Sequence, residues 1–418
     1  MFVKVRNVAP LARYLFSLDR RMTMMAELIE ARTADRMAAA QSRIAHVEII
    51  TDIDAAEPIW RALEQTGQHS SPYQRFDFLS AWQYHVGRAE GRQPFIVVAR
   101  DVERRPLLLL PLGLERKFGV RVAGFLGGKH ATFNMPLWRR DFAANAGDAD
   151  IAELIRRVRN IGGADLLAFE QQPARWNDLA NPLARLPHQP SVNDCPVLVL
   201  PPCAALNDLI SNSMRRRLKG KERKLQELAG YRYGQARTQA DVDRLLEAFF
   251  RIKPVRMAAQ NLPNVFAEPG VADFIRQACS TELSGGGHAI EIHALECDDE
   301  MIAMYAGVAD GSRYSMMFNT YTLSDAARYS PGLILMRHII DHYAGLGYRW
   351  IDLGIGSDDY KKIFCKDLEP IFDSFVPLTP RGQIAAAAMS AIGRGKRAVK
   401  QSPAMMQAVQ RLRGMLPR

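Results

Sequence analysis

Between Asp325 and Lys361 the chain reads turn, helix, strand, glycine-broken loop and short helix, an order that few folds accept. Pro331 and Gly332 open a helix over 332–346. Proline is favoured in a first helical turn, and glycine lets a backbone come close to a ligand. Leu335, Met336, Ile339, Ile340, Tyr343 and Leu346 share one face of that helix, and Gly347 suits its C-terminal cap. A strand from Trp350 to Leu353 then ends in Gly354-Ile355-Gly356, whose missing side chains leave the strand end open. Ser357 is placed to cap the next helix, and Tyr360 and Lys361 project from its first turn.

The segments before this run read as a meander. HAIEIHALEC, MIAMYAGVAD and RYSMMFNTY are three strands, with the turns DDE and GS between them. A basic helix, SNSMRRRLKGKERKLQELAG, and a second helix over 239–252 precede them. The first half repeats the theme. HVEII is a strand and Ala55–Gln65 a helix, residues 95–100 and 106–114 form a hairpin, and VRVAGFLGG and ADLLAFEQ are strands on either side of a helix over 148–160. Prolines 182, 187, 190, 196, 201 and 202 mark the crossing between halves. The expected organisation is a helical extension over 1–45, lobes over 46–200 and 205–380, and a basic tail over 381–418. The fold class is α/β (α+β), with mixed, mainly antiparallel sheets flanked by helices.

Composition excludes several classes. A chain of 418 residues suggests two or three domains, and 48% hydrophobic with 24% charged residues is ordinary globular usage. The five cysteines show no CxxC spacing, which argues against a disulfide scaffold or structural zinc and fits a reducing compartment. No apolar run approaches the ~20 residues that span a bilayer. Arg13 interrupts the apolar N-terminal stretch, so no signal peptide is expected and the cytoplasm is the expected location.

The net charge of +10 is concentrated at one end: from Ser374 onward there is no acid, and Arg381, Arg394, Lys396, Arg397, Lys400, Arg411, Arg413 and Arg418 carry most of the excess. The body is therefore close to neutral, and nucleic acid is not an expected partner. Gly393, Gly395 and Pro403 break the tail's pattern into two short helices. A basic amphipathic tail suits peripheral contact with an anionic inner-membrane surface, and a loosely ordered, solvated tail suits the same residues.

The chemistry-bearing residues cluster in the opening run. A helix start exposes N–H groups that suit a phosphate, so Ser330, Pro331, Gly332, Leu333 and Ile334 are the candidate anion-binding residues, with Arg328 adding charge. A plain strand-to-helix turn would look the same. Tyr360 can give a proton to a leaving thiolate and Lys361 can bind a phosphate or carboxylate; a packed tyrosine and a solvated lysine are the alternatives. Asp352 is a candidate for orienting an acceptor or acting as base, or else a structural carboxylate at a strand end. His338 and Asp341-His342 resemble a metal motif, but both histidines project away from the buried face and no third ligand is evident, so no metal site is assigned. The basic run from Arg215 to Lys224 suits phosphates or a solvated helix face. No nucleophile elbow, Walker loop or complete dinucleotide fingerprint occurs.

Asp325, Tyr329-Ser330-Pro331-Gly332, Gly347, Asp352, Gly354, Gly356 and Tyr360-Lys361 together resemble the signature of the CelD/BcsL-type branch of the GNAT acyltransferases, related to FemAB-like double-GNAT proteins. The resemblance spans about residues 46–380. It implies two GNAT-like lobes and an enzyme moving an acyl group from acetyl-CoA or another acyl-CoA, used as co-substrate, to an amine or hydroxyl. It also implies an acceptor that is a small molecule or linked to a saccharide, in cellulose or exopolysaccharide synthesis. One departure is visible: Ser330-Pro331-Gly332 stands where standard GNAT proteins have Gly-x-Gly/Ala, with Arg328 one position out of register with their basic residue. FemAB-like relatives use aminoacyl-tRNA, so that donor is an alternative; a non-catalytic accessory role in polysaccharide export is another.

Overall fold

The computed structural model describes residues 42–402 apart from positions 66, 118, 203–208, 299 and 357–358. The expected helical extension over 1–45 lies almost wholly outside the described residues, as do Ser357 and the tail from 403 onward.

In chain order the first half supplies β1 (His46–Ile50), α1 (Ile53–Gln65), α2 (Phe76–Trp82), β2 (Gln93–Arg100), β3 (Pro106–Lys117), β4 (Val120–Phe125), α3 (Asp148–Ile161) and β5 (Leu166–Pro173). Two further strands follow, β6 (Gln189–Pro190) and β7 (Cys195–Val199). The second half supplies α4 (Asn212–Leu225), β8 (Arg232–Gln235), α5 (Gln239–Ala259), α6 (Val271–Ser280), β9 (Glu291–Glu296), β10 (Met301–Ala309) and β11 (Arg313–Tyr321). It continues with α7 (Pro331–Gly345), β12 (Trp350–Asp352), α8 (Asp359–Phe364), β13 (Asp367–Glu369), β14 (Ile371–Pro377) and α9 (Pro380–Gln401).

These elements build two sheets of one design. The first has the order β1-β2-β3-β4-β5-β14-β6, with Leu137–Trp138 beside β3; the second has the order β8-β9-β10-β11-β12-β7-β13. In each, four strands run antiparallel, a helix crosses over, and a fifth strand returns parallel to the fourth: β4 with β5 through α3, β11 with β12 through α7. The strand beyond the parallel pair is antiparallel and comes from the other part of the chain. The sheets therefore do not divide at 200–205. β7 precedes that boundary yet sits in the second sheet, and β14 returns to the first. The exchange ties the lobes together through backbone hydrogen bonds.

Strand sequence follows burial. Ile96–Ala99 and Leu107–Leu110 are buried without alternation, as expected where both faces of a sheet are covered. Trp60 of α1 and Phe78 and Trp82 of α2 are fully buried. The lobes also share apolar core: Phe274 of α6 meets Phe78 edge-on with ring centroids 5.2 Å apart. Gly270 makes this approach feasible, since at φ +77° a Cβ there would lie 2.0 Å from the His85 carbonyl oxygen.

Three expectations need correction. Helix α5 does not stop at 252 but runs through Pro254 to Ala259; the lost proline N–H breaks one bond of the ladder without ending it. Leu346, expected on the buried face of α7, is 60% exposed, because the helix ends at Gly345 and Leu346 caps it. The tail does not split at Gly393 and Gly395, since α9 is one helix of 22 residues. Packing overrides glycine's low propensity there. Gly382 and Ala386 are buried, Gly393 lies against Gln189, and Arg397 pairs with Asp194 at 3.3 Å.

Candidate active site

The first turn of α7 offers an open N–H beside several cations. Ser330 precedes it in the left-handed region, at φ 59° and ψ 52°, a conformation costing a non-glycine residue roughly 1–2 kcal/mol. Several bonds hold it there. The Lys221 ammonium of α4 donates to Ser330 Oγ at 2.7 Å, and the Leu333 and Ile334 N–H groups both donate to the Ser330 carbonyl, at 3.0 and 3.2 Å. Pro331 has no N–H, and Gly332, the second residue of the helix, has no intrahelical carbonyl to bond. No acid occupies the first turn. Lys253 and Arg256 of α5 stand opposite, on the wall of a cavity of about 570 Å³ that also takes in Ser330, Pro331, Gly332, Leu333 and Tyr360. Lys253 Nζ donates to the Asn319 carbonyl at 2.8 Å, and Arg256 stacks on Tyr321. A helix dipole, an open N–H and these cations favour phosphate.

The cavity deepens where the second sheet forks. Strands β11 and β12 pair at Arg313–Trp350, Tyr314–Ile351 and Ser315–Asp352, then separate. Met316–Asn319 on one side and Leu353–Ile355 on the other wall an inner cavity of about 350 Å³. It shares Lys253, Asn319 and Tyr360 with the outer one. Tyr360 thus stands where both meet. The glycine loop works by close approach: Gly354, at φ +74°, brings its Cα so near that a Cβ would lie 3.1 Å from the Met316 carbonyl.

Asp352 sits at the root of the fork, fully buried. Its carboxylate accepts from Ser315 Oγ and, at 3.2 Å, from the Gly354 N–H. Burial pushes its pKa up to about 6, against the pull of Arg313 and of the Ser315 bond. It is not among the wall residues of either cavity, and its buried bonds tie the fork together, which favours the structural carboxylate over the base. Lys361 is also reassigned. It lines the inner cavity but is only 3% exposed, and its ammonium donates to the Gly354 and Ile355 carbonyls at 3.1 and 3.0 Å, so it holds the glycine loop. Arg328 is exposed, lies over the Tyr329 ring and is absent from the cavity wall. Ile334 turns its side chain into the core at 0% exposure.

The first lobe forks in the same way. Strands β4 and β5 pair as far as Gly124–Ala168 and then separate around a recess of about 250 Å³. Glu115, Glu170 and Asp373 line it beside Arg92, Lys117 and Lys129. Gln171, Ile355 and Lys129 wall both this recess and the inner cavity, so the two forks open toward each other. The walls of the recess partly desolvate Glu170 although the side chain stays open to water; that and nearby Asp373 raise its carboxyl pKa. Neither the outer nor the inner cavity has a carboxylate or histidine among its described wall residues.

Of the residues expected from sequence, the structure brings Ser330–Leu333 and Tyr360 onto one cavity wall; sequence reasoning missed Lys253, Arg256 and Glu170. The first two lie just past residue 252, where their helix was expected to end. Lys221 belonged to the noted basic run, whose other members meet various fates: Arg215 pairs with Asp341 at 2.8 Å, while Arg216, Arg217 and Lys219 are exposed. His338 is bound to Glu222 at 2.5 Å. Burial alone would raise the Glu222 carboxyl, but His338 and Arg337 hold it at about 2.

Residues 212–362 match a family model described as an acetyltransferase (GNAT) domain. No curated protein sequence matches the chain. Among solved structures, FemX superposes with a TM-score of 0.55 at 7% identity, covering 81% of this chain and 99% of its own. L-PGS from Bacillus licheniformis gives 0.47 at 12% identity, covering 82% and 97%. A tandem GNAT protein from the clavulanic acid biosynthesis pathway gives 0.38 at 11%, covering 80% and 99%. The likeness to FemX is one of fold. The class is that of an acyltransferase enzyme, with a GNAT acetyltransferase domain at residues 212–362.

Proposed function

We infer that the protein moves an acyl group from acyl-CoA to an amine or hydroxyl brought in through the first-lobe recess. The observation that carries this is the single cavity wall shared by the α7 start, Lys253, Arg256 and Tyr360. The donor's phosphates would lie on Ser330–Leu333 and the two cations, and its thioester in the fork. Holding both reactants in one groove converts a bimolecular step into a positioned one. The acceptor nitrogen or oxygen bonds to the acyl carbon, the C–S bond breaks, and the thiolate takes the Tyr360 proton. The acceptor's own proton goes to the recess, where burial raises the carboxyl pKa of both Glu170 and Asp373.

The finer reading, a role in cellulose or exopolysaccharide synthesis, rests on the CelD/BcsL-type signature. A membrane-peripheral location is proposed with it. No described helix is long and apolar enough to cross a membrane. Arg397 and Lys400 of α9 are turned to Asp194 and Asn193, while Arg381, Ile384, Ile392 and Lys396 stay exposed and would make the contact. Co-sedimentation with anionic liposomes tests that part.

Titration calorimetry with acetyl-CoA, together with mass spectrometry of ligands retained on native protein, tests the donor. Saturable binding that Lys253→Ala with Arg256→Ala weakens supports it. Co-purified aminoacyl-tRNA would replace it with the alternative donor, and absence of any donor binding would leave the accessory role.

A further inference from the structure

A third cavity opens off the inner one and has a different character. It measures about 200 Å³ and is walled mainly by Val265, Phe266, Val271, Phe274, Ile275 and Phe318. Phe266, Met317, Phe318, Thr132 and Lys129 belong to both cavities, so the apolar space continues from the fork. It lies where the lobes meet: α6 and the 265–267 turn form one side, and residues 129–132 of the first lobe form the other. Its charged rim is self-satisfied, with Lys129 paired to Glu268. His130, the one other titratable wall residue, accepts from Trp82 Nε1 at 3.1 Å, and burial lowers its pKa to about 4, so it is neutral near pH 7.

Protein interiors are close-packed, and an apolar space of this size beside a reacting centre is costly unless something apolar fills it. An acetyl group ends inside the fork and would leave it empty. We propose that this annexe receives the hydrocarbon chain of the donor, which makes the protein selective for medium-chain acyl thioesters over acetyl. At about 30 Å³ per water-sized unit the space takes a chain of roughly six carbons beyond the fork. The proposal rests on the acyl-CoA reading and deepens it. The thioester stays beside Tyr360, the chain turns between Met317 and Phe266, and the acceptor side stays open toward Gln171.

The test is the affinity of the full chain for CoA esters of two, four, six, eight, twelve and sixteen carbons, read by titration calorimetry. Affinity is expected to rise at least tenfold from acetyl to the six- or eight-carbon ester and to gain nothing further at sixteen. Acetyl-CoA binding as tightly as the hexanoyl ester overturns the proposal and leaves the acyl-CoA reading standing. Absence of binding by every ester overturns both. Val265→Phe fills the annexe from its rim, where Val265 is only half-buried. It is expected to cut the hexanoyl-to-acetyl affinity ratio at least tenfold, with an unchanged melting temperature. An unchanged ratio, or equal loss across all chain lengths, overturns the proposal.

Discussion

The two crossover helices, α3 and α7, occupy equivalent places in sheets of one design, and only one has a start open to an anion. In the first lobe α3 begins with Asp148 and Asp150. Asp150 accepts from the Gly147 N–H at 3.1 Å, the Arg43 N–H at 2.8 Å and the Arg43 guanidinium at 2.9 Å. Its pKa falls below the usual carboxylate range: burial pushes up, and those bonds outweigh it. That helix start is stoppered by its own carboxylate. In the second lobe α7 starts with Ser330-Pro331-Gly332, lacks an acid, and meets Lys221, Lys253 and Arg256. A duplicated framework thus specialises through a few residues at the start of one helix. The first lobe keeps its fork and recess but closes its helix start with Asp150.

The strongest way to test which lobe does chemistry is Tyr360→Phe. Turnover, followed as thiol release, is expected to fall ~100-fold or more, while donor affinity changes little. Unchanged turnover in a folded variant would return Tyr360 to packing. Gly332→Asp then makes α7 resemble α3. The protein leaves room, because a Cβ at Gly332 would lie 3.7 Å from Tyr305 Oη. A negative charge at that start should cost donor binding about tenfold or more, by calorimetry, with little change in stability. Weakening of less than twofold would move the phosphates elsewhere.

Removing the stopper from the other helix should do the reverse. Asp150→Ala leaves the Gly147 and Arg43 donors without their acceptor. It should lower stability by about 2–3 kcal/mol in denaturant titration, with donor affinity unchanged. A loss of affinity would mean that the lobes are coupled more tightly than two similar forks require.

The smallest effect compares a buried histidine from each lobe. Burial lowers His69 to about 4 and His293 to about 3, from an ordinary 6.5. Between those values the unfolded chain binds protons that the folded chain refuses, so stability is full above pH 6.5 and falls as pH drops below it. Asp352 acts oppositely. Raised to about 6 from 3.8, it takes a proton in the folded state first and gains stability as pH falls through 6. The net loss from pH 7 to pH 5 from these three groups is expected to be about 2 kcal/mol. A melting temperature that rises on acidification would put Asp352 above both histidines in weight.

Much of the second lobe was legible because its signals are local. The Pro-Gly start, the apolar face of α7 and the glycine loop each follow from residues a few positions apart. Lys361 and Asp352 stayed open between functional and structural work for the complementary reason. Their types fit catalysis, but the Gly354 carbonyl and the Ser315 hydroxyl that engage them come from the folded loop and the neighbouring strand. The helix α9 was misread because Gly393 disfavours a lone helix, while Gln189, far away in sequence, rewards its packing there.

Sequence alone determined the α/β class, the order of elements around α7 and the Ser-Pro-Gly turn that opens it, since periodicity and turn chemistry act over a few residues. Only the tertiary structure decided that β7 and β14 trade lobes, that Lys253 and Arg256 face Ser330, and that two forks and an apolar annexe meet at Gln171, Phe266 and Tyr360. Those relations join residues far apart along the chain, and packing free energy, which depends on the whole core at once, is what selects them.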